Sequence, residues 1–160
     1  MVELRKVTAD NFRDVIKLQL AEGQDQFVAP NIYTLAEAYV ALSNDTDVPM
    51  MYAIFDDAEL VGFIGMAYTR PKDGSALGVY EMYRFMIDKR YQGKGFGRAA
   101  LTKAIELLET RPHGPASHIV TSFVPGNDVA KGLYLSLGFV ETGELDEEEL
   151  VAKYEMSSAG

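Results

Sequence analysis

At 160 residues and 17.7 kDa, with 48% apolar and 24% charged residues, the chain can bury a real core and reads as one globular domain over 1–160. A net charge of −9 argues against nucleic acid as a partner, and no apolar run is long enough to cross a bilayer. The absence of cysteine removes disulfides, thiolate metal sites and a cysteine nucleophile, and residues 1–6 lack the apolar centre of a signal peptide. A cytoplasmic protein without a metal is expected.

In chain order, residues 2–7 read as a short strand. Thr8 can cap a helix over 9–20, with Phe12, Val15, Ile16 and Leu18 roughly on one face. Pro30 and Asn31 break the next stretch, and a second helix is expected from Thr34 through Leu42. Residues 51–55 and 60–68 read as strands joined by the turn 56–59. A third strand over 79–87 follows the turn 72–75, completing an antiparallel meander. A long helix over 95–109 comes next, with Ala99, Ala100, Ala104, Leu107 and Leu108 at helical spacing, and it ends at the Pro/Gly segment 111–115. Residues 118–123 form a strand, 128–137 a short helix, 139–141 a strand start, and 149–156 the closing strand. The order β-α-α-β-β-β-α-β-α-β-β describes a mixed α/β domain.

Charge is unevenly spread. Between Arg84 and Lys103 stand six basic residues and one acid, +5 within an overall −9, so the remainder carries −14. A basic island in an acidic chain suggests an anionic ligand there and leaves room for a cationic one elsewhere. Lys103 reads as a solvated helix charge. The island contains Phe85-Met86-Ile87, then Gln92-Gly93-Lys94-Gly95-Phe96-Gly97-Arg98. Glycines 93, 95 and 97 remove the Cβ atoms that would keep a bulky anion from the backbone. The helix start adds partial positive charge, which Lys94 and Arg98 can reinforce. The spacing fits neither a Walker A loop nor a Rossmann fingerprint. On its own it supports an anion site, or glycines that merely permit a tight turn.

Gln92-x-x-Gly95-x-Gly97 resembles the pyrophosphate-binding signature of the GNAT N-acetyltransferase superfamily. Asn127-x-x-Ala130-x-x-Leu133-Tyr134-x-x-x-Gly138-Phe139 resembles its later motif, with Gly138 fitting a left-handed helix cap. Together with the element order, the resemblance covers essentially the whole chain. It implies a central mixed, mostly antiparallel sheet of six to seven strands flanked by four helices, and acetyl-CoA as co-substrate. The cofactor would be held by Phe85, Met86, Ile87, Gln92 to Arg98, Asn127, Lys131 and Tyr134. It further implies direct attack of an amine on the thioester, with a main-chain N–H from 85–87 at the carbonyl and Tyr134 as the acid near sulfur. A phenol stays protonated at neutral pH, although Leu133, Leu135 and Leu137 around Tyr134 would also suit a core tyrosine.

Glu81 matches the superfamily's base position on the third meander strand, against a solvent-facing glutamate or a water chain as alternatives. Strict alternation would put Glu81, Tyr83 and Phe85 on one face unless a bulge shifts the register. His113 and His118 suggest no role. At finer resolution, segments 26–31, 35–39, 83–88 and 134–143 are similar to the bacillus-type spermine/spermidine (diamine) N-acetyltransferases. That implies a small-molecule polyamine gripped by Glu22, Asp25 and Glu37, beside Tyr83 and Glu81, and admits a homodimer through the C-terminal strands. The acidic run 144–149 reads as a solvated hairpin loop. Another amine acceptor, or a non-catalytic acetyl-CoA-binding module, is the alternative.

Overall fold

The computed structural model describes residues 1–158; the final two residues of the expected 1–160 domain lie outside the described residues. The elements are β1 (Val2–Lys6), α1 (Phe12–Lys17), α2 (Asn31–Asn44), β2 (Asp47–Asp56), β3 (Glu59–Thr69), β4 (Gly78–Ile87), α3 (Phe96–Glu109), β5 (Ala116–Phe123), α4 (Asp128–Ser136), β6 (Val140–Asp146) and β7 (Glu149–Glu155), with short 3-10 turns at Gln24–Gln26 and Lys89–Tyr91. One seven-stranded sheet runs in the order β1-β2-β3-β4-β5-β7-β6. Every neighbouring pair is antiparallel except β4 and β5. The expected mixed, mostly antiparallel sheet with four helices is what the chain forms.

β3 sits two strands in from the β1 edge, and Val61 through Tyr68 are all buried, which explains why it reads as a nearly continuous apolar run. Alternation along β2 and β3 divides the core between the two faces. Ile54, Ile64, Met66, Leu101, Ala104, Leu108 and Ile119 form the larger cluster, which carries α3 and α4. Ala53, Phe63, Met86 and Val15 form the smaller one, joined by Leu18, Val28 and Leu35 from the α1–α2 side. Each large apolar side chain so buried stabilises the fold by about 1.5–3 kcal/mol.

Three boundaries differ from the sequence expectation. α1 stops at Lys17 because Leu18 turns extended (φ −59°, ψ 140°), so residues 18–30 form an irregular strap rather than more helix. α2 begins a turn earlier than expected. Pro30 occupies its N-cap position, and Asn31, expected to break the chain, is the first helical residue, buried with its amide donating to the Val15 carbonyl at 2.9 Å. β2 starts at Asp47 and includes Pro49. This is tolerated because β1 pairs only with Tyr52 to Asp56, so at Pro49 one edge of β2 needs no ladder bond.

The feature that positions the site is the β4–β5 pair. Its parallel pairing ends at Met82↔Thr121, while β4 runs on to Ile87 and β5 to Phe123. Beyond that point the two strands are unpaired and a gap opens in the sheet.

Candidate active site

On the α3–α4 side of the gap lies a cleft of about 470 Å³ lined by Phe85 to Ile87, Tyr91 to Gly93, Gly95 to Gly97, Gly126 to Ala130 and Leu133. Gly93 and Gly95 have φ of +77° and +85°, and a Cβ added to either would meet nothing within 4 Å. They hold a left-handed backbone and leave the loop surface open. Gly97 has a different task from the one expected. It is helical, and a Cβ there would come within 3.3 Å of the Phe85 ring, so it lets α3 pack onto β4. Gly95 caps α3 without any side-chain bond, leaving first-turn N–H groups available to an anion.

The cationic side chains point elsewhere. Lys94 is exposed and lies 5.8 Å from the Tyr91 ring centroid, Arg98 donates to Ser136 Oγ at 2.9 Å, and Lys131 pairs with Glu141 at 3.6 Å. None of the three lines the cleft. Two of the island's other charges are likewise committed: Arg84 to Glu37 at 3.3 Å, Arg90 to the buried Asp88 at 2.8 Å. Burial opposes ionisation of Asp88, but the Arg90 guanidinium and the N–H groups of Gln19 and Arg90 outweigh it and hold its carboxyl below the usual range.

The strap was expected on the acceptor side, through Glu22 and Asp25, but not as a wall of the cofactor cleft. Leu20, Gln24, Phe27 and Val28 form one wall of the cleft. The strap is fastened to the loop by a reciprocal amide pair, Gln92 Nε2 to Gln24 Oε1 at 2.8 Å and Gln24 Nε2 to Gln92 Oε1 at 3.1 Å. The Gln92 amide also donates to the Ile87 carbonyl at 2.9 Å, and Asp88 accepts from the Gln19 N–H at 2.8 Å. No periodicity marks such a strap, because its contacts lie about 68 residues away in sequence.

Inside the gap, a second cavity of about 320 Å³ is bordered by Tyr83 to Phe85, Ser122 to Val124, Asn127, Tyr134 and Glu149. Asn127 caps α4, its side chain accepting from the Ala130 N–H at 3.4 Å, and Gly138 ends the helix region at φ +107° as expected. Tyr134 is only 5% exposed and rests between the rings of Phe123 and Phe139 at 6.2 and 5.4 Å. Burial pushes its phenol upward, with the neighbouring Thr121 hydroxyl opposing, so the group keeps its proton at neutral pH. Core packing and a position beside the gap therefore coexist in one residue.

On the α2 side is a third cavity of about 550 Å³, lined by Tyr33, Glu37, Val40, Asp47, Pro49, Glu81 and Tyr83 among others. β3 pairs Gly65 with Arg84 but Met66 with Met82, so Tyr83 is the extra residue of a bulge. This is the register shift that the alternation over residues 81–85 leaves open, and it corrects the face assignment. Glu81 and Tyr83 face α2, whereas Phe85 packs with the larger cluster on the opposite face. Glu81 and Tyr134 thus lie on opposite faces of the sheet. Burial first, then Asp146 and Asp47, pushes the Glu81 carboxyl up, with Arg84 opposing. Burial and then Glu37 push the Tyr83 phenol up to about 12.

Of the residues expected to hold a cationic acceptor, Glu37, Glu81 and Tyr83 come together, and Asp25 borders the gap cavity. Glu22 lies in a separate cavity with Leu18 to Gly23 and Met86. Asp47 escaped notice in the sequence. Asp146 and Glu149 read as part of a solvated hairpin loop, yet both act on Glu81, and Glu149 also borders the gap. Among the described residues, no group of acids and histidines is close enough to hold a metal ion.

Comparisons with known proteins agree with this fold. The chain is 28% identical over 147 residues to the spermine/spermidine N(1)-acetyltransferase of Bacillus subtilis strain 168, covering 91% of each chain. Its fold superimposes on that of aminoglycoside acetyltransferase AAC(6')-Ib in complex with coenzyme A and kanamycin, with a TM-score of 0.76 at 18% identity, covering 97% of this chain and 95% of that one. It also matches spermidine N-acetyltransferase from Vibrio cholerae in complex with CoA and spermine, with a TM-score of 0.66 at 18% identity over 95% and 92% of the two chains. The family model described as "Acetyltransferase (GNAT) family" matches residues 14–139, and the chain belongs to that family of acetyltransferases.

Proposed function

We propose that this protein transfers the acetyl group of acetyl-CoA to a primary amine of a polyamine such as spermidine or spermine, by direct attack within a ternary complex. The observation that carries this reading is the gap beyond Met82↔Thr121. On one side stand the open glycine loop and the uncapped α3 N-terminus, suited to a pyrophosphate. On the other stands the chamber bearing Glu37, Asp47 and Glu81, suited to a cation. The Bacillus relative named above supports a polyamine as the amine.

The roles of the chain's own groups follow from this placement. The loop N–H groups and α3 dipole hold the pyrophosphate, and Asn127, Gly126 and the strap walls border the arm that leads into the gap. The unpaired edge of β4 at Phe85 to Ile87 offers main-chain N–H to the thioester carbonyl as negative charge develops there. Glu81, directly or through a water, takes the proton that the amine must lose, and its raised affinity for protons favours that transfer. As the new C–N bond forms and the C–S bond breaks, Tyr134 gives its proton to the departing sulfur. A thiol-release assay across polyamines, aminoglycosides, amino sugars and peptide N-termini tests the reading. Turnover should be fastest with spermidine or spermine. No turnover with any polyamine would sink it, and tight CoA binding without turnover on any amine would favour a binding module.

A further inference from the structure

Among the described residues, Tyr83 alone borders both the gap cavity beside Tyr134 and the chamber under α2. The bulge causes this, because an extra residue opposite Gly65 and Met66 re-aims its side chain relative to the neighbouring pleat. The ring is also held in place. The Arg84 guanidinium lies 5.3 Å from its centroid, donates to the Tyr83 carbonyl at 2.9 Å, and pairs with Glu37 on α2 at 3.3 Å. Its phenol stays neutral, so a ring without charge stands between carboxylates.

We infer that Tyr83 is a specificity-determining residue: its fixed ring is a partition that a slender unbranched amine can pass and a ring-bearing amine cannot. The inference rests on the polyamine reading and sharpens it. The reacting amine occupies the gap, while the rest of the acceptor threads past the ring into the chamber of about 550 Å³. There Tyr33, Val40 and Pro49 supply apolar wall for methylene groups, and Glu37 and Asp47 face a distal ammonium. A bulky aminoglycoside has no equivalent path until the ring is removed and the two cavities merge.

The experiment is the ratio of kcat/KM for spermidine to that for kanamycin in the wild type and in Tyr83→Phe, Tyr83→Leu and Tyr83→Ala. Melting temperature and CoA affinity are measured alongside. Tyr83→Phe should keep the wild-type ratio. Tyr83→Ala should lower it by at least about tenfold, the smallest effect expected when a pocket changes by more than a methylene, and should do so partly by gaining activity on kanamycin. Tyr83→Leu should fall between them and serves if the alanine variant does not fold. An unchanged ratio in a folded, CoA-binding Tyr83→Leu or Tyr83→Ala overturns the partition and leaves the polyamine reading intact. A wild type that prefers kanamycin, or that acetylates neither amine, overturns both.

Discussion

The proposed donor half of the site is assembled from two short stretches, 91–97 and 126–133, with a strap laid across them. The proposed acceptor half takes Glu37 from α2, Asp47 from β2 and Glu81 and Tyr83 from β4, and Asp146 and Glu149 from the last hairpin act on Glu81. An anion can be held by backbone N–H groups, which a few consecutive residues supply once glycine permits the conformation. A polycation needs separated carboxylates, and only tertiary folding brings those together. The cofactor half is therefore specified locally and the acceptor half globally, with β4 as the shared wall. Substitutions in one half should move the kinetic constants of one substrate only, and residues at the gap should move kcat.

The largest effect is expected at the gap. Tyr134→Phe should lower kcat by about 10²- to 10⁴-fold, the usual contribution of a positioned acid. Acetyl-CoA affinity and melting temperature should barely change, because the ring contacts with Phe123 and Phe139 remain. Unaltered kcat would reduce Tyr134 to a core residue. Glu81→Gln should cost about 10²-fold or more in kcat by removing the proton acceptor, again with little change in acetyl-CoA affinity. If a water chain alone carries the proton, that loss will be absent.

Next in size is a change confined to the donor half. Gly95→Ala forces a side chain into φ +85°, at a cost of about 1–2 kcal/mol. Since nothing lies near the new Cβ, the variant still folds, but its free loop relaxes away from the cradle and binding must restore it. The Michaelis constant for acetyl-CoA should rise about fivefold to thirtyfold, with that of the amine unchanged. Equal rises in both constants would mean that the two halves are not separable.

The same contrast explains what the sequence discloses. Gln92, Gly95 and Gly97 adjoin one another, and Asn127 and Gly138 bracket a helix with ordinary capping chemistry, so pattern alone locates them. The order of strands follows from alternation and turns. The bulge at Tyr83 does not, because an extra residue is defined only by its partner strand, and so the face shared by Glu81 and Tyr83 but not Phe85 could not be read in advance. Lys94 and Arg98 sit within the glycine segment yet face away from the cleft, since the turn between Gly93 and Gly95 for Lys94 and helical geometry for Arg98, not proximity in sequence, set their direction. Asp47 stands alone between an exposed turn and a strand, with no neighbour to flag it. Asp146 and Glu149 belong to a run that is mostly solvated, and only the β6–β7 hairpin, held in the sheet by β5–β7 pairing, carries these two members toward Glu81.

That hairpin supplies the smallest and most discriminating test. After burial, Asp146 is the strongest influence raising the Glu81 carboxyl, although it is itself exposed. A base with a raised pKa loses activity as pH falls, and does so at higher pH than an ordinary glutamate would. Asp146→Asn removes part of the cause, so the acid limb of kcat/KM should move to lower pH. The limb should remain above the ordinary glutamate range because burial persists. The Michaelis constant for spermidine should rise by about twofold to fivefold, the scale of one exposed ion pair, with that of acetyl-CoA unchanged. Both differences should vanish near 1 M salt, where screening acts over about 3 Å. If the limb stays fixed in Asp146→Asn and in Asp47→Asn alike, Glu81 is not the titrating base. The acceptor half would then contribute charge for binding only, with the proton leaving through water.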